Sequence, residues 1–186
     1  MKYSALLRVW HWLNALAIFG LLGTFFLRKT FLSWRTNSEL MVQKFAEYDI
    51  QITTEMAKTV AKAIRAPMWE WHIIFGYFFL SLIIFRIYIF IKEGVSYKDN
   101  SSLHKKAVGV LYSIFYLVVI FMGLSGVFLH LGADFGVSKD SLKEIKELHE
   151  LSAWFFVVFV PLHIAGVVMA ELSSEKGIVS RMISGK

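Results

Sequence analysis

Four stretches of about 20 mostly apolar residues punctuate the chain, at roughly 5–27, 69–91, 107–130 and 149–170. That length carries an α-helix across the hydrocarbon core of a bilayer. Charged residues mark the ends. Lys2 and Arg8 flank the start of the first stretch, and Arg28 and Lys29 close it. Lys92 and Glu93 close the second, Lys105 and Lys106 open the third, and Glu171 closes the fourth. Trp10, Trp12, Trp34, Trp69, Trp71 and Trp154 gather near these ends, as an interfacial aromatic belt does. The pattern predicts an all-α, integral membrane four-helix bundle, one domain over residues 1–186. The first stretch is read as a retained helix. Arg28-Lys29-Thr30 stands where a signal peptide has small residues, and His11 and Asn14 lie inside the stretch.

Residues 28–68 form the one long connection. Thr36-x-x-Glu39 reads as a capping box. Met41, Phe45, Tyr48, Ile52, Met56, Val60 and Ile64 then recur at three- and four-residue steps. This predicts an outer amphipathic helical insertion over about 36–66, or a helical hairpin broken near Asp49, with Pro67 ending it. Such a segment either caps the helix ends or docks a partner.

Composition narrows the chemistry. Of 186 residues 56% are hydrophobic, and the mean hydropathy is +0.56, above what a soluble domain carries. Cysteine is absent, which excludes disulfides, thiolate metal sites, iron–sulfur clusters and covalent haem attachment. The net charge is +6, but the cations sit at the ends of apolar runs, so the expected contact is membrane lipid and no nucleic acid. An even number of spans places both termini on one side. Ten Lys and Arg lie on each side, in 45 residues on the terminus side and 64 on the other. The density favours cytoplasmic termini in a bacterial inner membrane.

Of the six histidines, His11, His72, His149 and His163 fall within or at the edge of spans. A metal-binding group inside a span is costly and signals function. His149 and His163 are 14 residues apart, hence on nearly one face and roughly 21 Å apart along the axis. Following chain direction, His11 and His163 share one depth, and His72 and His149 share the other. Two pairs at two depths are what two bis-histidine haems require, with all four residues as iron ligands. Two zinc sites fit poorly, because each would have only two nitrogens. His104 and His130 at the ends of the third helix are read as interfacial, with proton delivery near a quinone site as the alternative for His104. Arg8 and Arg86 lie on the faces of His11 and His72, placed either to pair with haem propionates or to snorkel to headgroups.

Arg8-Val9-Trp10-His11-Trp12-Leu13, His72 with Arg86-Ile87-Tyr88, the His149…His163 spacing, and the tail from Glu171 through Lys176-Gly177-Ile178-Val179-Ser180-Arg181-Met182-Ile183 resemble the bacterial cytochrome b561 group. That group includes the b-type cytochrome subunits of nickel–iron hydrogenases. The resemblance covers about 150 residues and leaves out most of 30–66. It implies a four-helix bundle with two non-covalent haems b, held by His11, His72, His149 and His163. It also implies electron exchange between quinone and a periplasmic redox partner, such as hydrogenase- or dehydrogenase-type subunits. The expected role is the electron-transfer subunit of a respiratory oxidoreductase, with a homodimer left open. The alternatives are a stand-alone superoxide-oxidising, quinone-reducing cytochrome b, and a haem-free transporter or scaffold.

Overall fold

The computed structural model describes residues 3–94, 103–173 and 176–185, with the side chains of 103–105 omitted. Lys2 and the side chains of His104 and Lys105, all invoked above, therefore lie outside the described residues. Six helices follow in order: α1 (Ala5–Lys29), α2 (Trp34–Ala46), α3 (Thr54–Glu93), α4 (Leu103–Leu131), α5 (Lys139–Leu172) and α6 (Ile178–Ile183). Four of them, α1, α3, α4 and α5, are long and apolar enough to cross a membrane. The chain is a multi-pass membrane protein. Large apolar side chains such as Ile91, Leu117 and Met169 stay exposed on these helices, which suits surfaces solvated by lipid.

The boundaries correct two expectations and extend the fourth span. Pro67 does not end a helix: α3 runs through it without interruption. Proline removes a single donor, toward the Ala63 carbonyl, and such a loss is tolerated where neighbours or water re-satisfy the freed group. The 40-residue α3 is therefore about 60 Å long, twice the hydrocarbon thickness, and its first turns belong to the inserted segment. The capping box at Thr36 is also absent. Ser33 is the N-cap of α2, its hydroxyl accepting from the Thr36 amide. The capping motif was placed one turn too late. Finally, α5 starts ten residues before the apolar stretch, at Lys139, where Ser138 accepts from the Ser141 amide. Between α2 and α3 the chain breaks with Asp49 at φ 56°, a left-handed conformation that a short polar side chain tolerates.

The chain divides into two compact units, residues 1–18 with 76–186 and residues 19–75. In the first, the buried Trp10 indole donates to the Leu82 carbonyl at 2.8 Å, joining α1 to α3. Phe115 of α4 stacks on Phe159 of α5 at 4.6 Å. Gly123 brings α4 close to α3, since a Cβ there would lie 2.7 Å from Ile83 Cδ1. In the second unit Gly20 plays the same part on α1, its missing Cβ replaced by the Phe75 ring of α3.

Candidate histidine site

In the first unit His11 on α1 and His163 on α5 face one another, with ring centroids 6.1 Å apart and planes at 55°. Two imidazoles bound to one metal from opposite sides, each by a bond of roughly 2 Å, leave their centroids roughly 6 Å apart. The two rings thus stand at a separation that one iron held between them would need. Phe159, one turn before His163, stacks on its ring at 5.7 Å and 10°, which restrains the imidazole. Trp12 meets His11 edge-on at 5.4 Å. Among the described residues no group of three His, Cys, Asp or Glu converges.

His72 and His149 each rest on a buried hydroxyl. In the second unit His72 Nδ1 lies 2.8 Å from Thr24 Oγ1, and that hydroxyl also donates to the Leu21 carbonyl at 2.7 Å. In the first unit His149 Nδ1 lies 2.7 Å from Ser125 Oγ, which is 3.4 Å from the Met122 carbonyl. Each hydroxyl holds its imidazole at Nδ1, and which of the two donates depends on the imidazole tautomer. Gly126 leaves room beside His149, whose Cε1 would sit 3.5 Å from an added Cβ.

Sequence reasoning missed Thr24 and Ser125. A hydroxyl inside a span is a weak cue by itself, because it most often bonds its own helix. Orienting partners of metal-bound histidines typically contribute 10- to 100-fold in metal affinity. Thr24→Val and Ser125→Ala are therefore expected to raise the haem dissociation rate at the affected site by about tenfold or more. Haem transfer to apomyoglobin, followed by absorbance, measures it.

Arg8 and Arg86 are engaged within the first unit. Arg8 Nη1 donates to the Ile183 carbonyl at 3.1 Å, and Trp12 Nε1 donates to Met182 O at 3.2 Å. Glu171 accepts from the amides of Gly177 and Val179 at the other end of α6. Arg8 thus clamps α6 against α1. Arg86 Nε donates to the Tyr116 hydroxyl at 2.9 Å, and its guanidinium lies over Trp10 and Tyr116. His130 meets Tyr77 edge-on at 5.9 Å and is exposed.

The profile of the family described as prokaryotic cytochrome b561 matches residues 2–185. The chain belongs to the prokaryotic cytochrome b561 family. Membership makes it a membrane cytochrome b, an electron-transfer protein carrying b-type haem, and the facing imidazoles fit that group. The chain is 28% identical to a probable Ni/Fe-hydrogenase B-type cytochrome subunit of Rhodobacter capsulatus, over 98% of this chain and 79% of that protein. It is 25% identical to a protein of the same description from Cupriavidus necator, over 98% of this chain and 84% of that one. No solved structure matches it at a significant level. For a cytochrome b561, the absence of cysteine means that no thioether bond tethers the haem to this chain.

Proposed function

We propose that this cytochrome b561 carries two haems b, one between His11 and His163 and one between His72 and His149, and passes electrons between quinone and a partner on the periplasmic face. The observation that carries the reading is the 6.1 Å approach of the His11 and His163 rings, held by α1 and α5. The description of both relatives as hydrogenase cytochrome subunits supports a hydrogenase-type oxidoreductase as the partner. The termini are assigned to the cytoplasmic side of a bacterial inner membrane, on the density of Lys and Arg there.

Bound haem supplies a one-electron iron couple. The chain supplies the rest. His11, His72, His149 and His163 would hold the iron, two imidazoles at each site, and so would keep oxygen from it. Thr24 and Ser125 contact Nδ1 of His72 and His149 and restrain each imidazole. Phe159 and Trp12 pack on His163 and His11 and limit access of water to them. Arg86, Lys106 and His104 are assigned to the quinone side, where cations and a titratable imidazole deliver the two protons that accompany two-electron quinone reduction.

A pyridine haemochrome assay on the purified chain tests the cofactor count. The expected result is two haems b per polypeptide, both extracted by acidified organic solvent. One haem would refute the second site, and none would overturn the proposal.

A further inference from the structure

Within residues 19–75, α1 and α3 line an open groove of about 410 Å³. Gly20, Gly23 and Leu27 of α1 and Met68, Trp71 and Phe75 of α3 form most of its wall. The wall is almost wholly carbon. Its hydroxyl, that of Thr24, is already bonded to Leu21 and His72. Beside Gly23 nothing lies within 4 Å of where a Cβ would be. The charged end of this groove is as distinctive as its interior. Leu27 and Ile64, both in the wall, are followed directly by Arg28 and Arg65. Both guanidiniums lie over the same Trp69 ring, at 5.8 and 5.9 Å. Two cations sharing one indole repel each other, and the Arg65 Nε is buried without a hydrogen-bond partner. Lys62 and Arg35 add charge nearby, both over Trp34.

An apolar slot that ends in a cationic rim complements an amphiphile with an anionic head. We propose that this groove holds an acyl chain of an anionic phospholipid, whose headgroup phosphate is bound by Arg28 and Arg65. Guanidinium forks match phosphate oxygens in a bidentate manner, and a phosphate placed there would satisfy Arg65 Nε and offset the repulsion between the two arginines. A quinone ring is a poorer occupant, because its neutral carbonyls would leave the paired charges of Arg28 and Arg65 uncompensated. The occupied groove would also brace Thr24, the residue that orients His72.

The test is native mass spectrometry of the haem-loaded full chain, extracted in mild detergent from vesicles of phosphatidylglycerol and phosphatidylcholine. Wild type is expected to retain one phosphatidylglycerol and to release phosphatidylcholine. The Arg28→Gln/Arg65→Gln double variant should lose phosphatidylglycerol retention by roughly 30-fold, from about a factor of five per cation. Gly23→Leu should also lose it, with both cations intact, while Arg65→Lys, which keeps the charge but not the fork, should lose only part of it. Haem absorbance shows that each variant is folded. Equal retention of both lipids would overturn the proposal, as would displacement by glycerol phosphate alone, which would mark a simple anion site. Stoichiometric displacement by a short-chain quinone would assign the groove to quinone instead.

Discussion

Replacing His163 or His11 by alanine will strip one haem from the chain and leave the other. The two rings stand at the separation that one iron requires, on helices fixed by the Trp10–Leu82 hydrogen bond and the Phe115–Phe159 stack. Without one imidazole the group keeps a single protein bond in a site with no covalent tether. Loss of an orienting partner alone weakens metal binding 10- to 100-fold, so loss of a ligand will exceed about 100-fold. His72→Ala and His149→Ala should do the converse. The haem-to-protein ratio should fall from two to one in all four variants, and redox titration should show a different haem surviving in each pair. His130→Ala should keep both haems, since its ring is exposed against Tyr77. If His104→Ala or His130→Ala removes a haem, the ligand assignment is wrong.

Quinol-driven haem reduction should slow by about 100-fold in His104→Ala, the usual scale for losing a positioned proton-transfer group. Arg86→Gln should slow it as well, for two separable reasons. It removes a cation from the proposed quinone side, and it cuts the bond to Tyr116 and the contact with Trp10 beside His11. Arg86→Lys keeps the charge but not the planar fork, so recovery of the rate in that variant assigns the effect to charge. Haem content measured in parallel separates a rate effect from a loss of cofactor. Unchanged rates in His104→Ala and Arg86→Gln, with a clear loss in Glu70→Gln, would move the quinone site to the His72 side.

Several structural features alter how the two arginines are understood. From spacing alone Arg8 and Arg86 are equally placed for propionates or headgroups. The structure shows Arg8 on the Ile183 carbonyl and Arg86 on Tyr116. Both contacts join residues far apart in the chain, so no local pattern announces them. Arg8 caps the C-terminal end of α6, where unsatisfied carbonyls favour a cation. Glu171 does the reverse at the other end, its carboxylate accepting from the Gly177 and Val179 amides. The short α6, six residues that would not persist alone, is held by these two charges.

The spans and the all-α class were legible in the sequence because each helix must satisfy its backbone internally and bury about 20 apolar residues in lipid. The expected histidine depths rest on the same physics: rise per residue and chain direction convert position into height across the membrane. Helix ends in water carry no such constraint. The start of α5 at Ser138, the Ser33 cap and the passage of α3 through Pro67 depend on local hydrogen bonds that a hydropathy pattern does not register. Which way a side chain turns was likewise beyond the sequence. The spacing of His11 and His163 says that they share a depth, but only packing brings their rings to 6.1 Å. Thr24 and Ser125 look like ordinary helix-bonded hydroxyls until the neighbouring helix supplies an imidazole. Depth follows from one-dimensional order in a layered solvent; azimuth and enclosure follow from contacts between distant segments, and those only the tertiary structure decided.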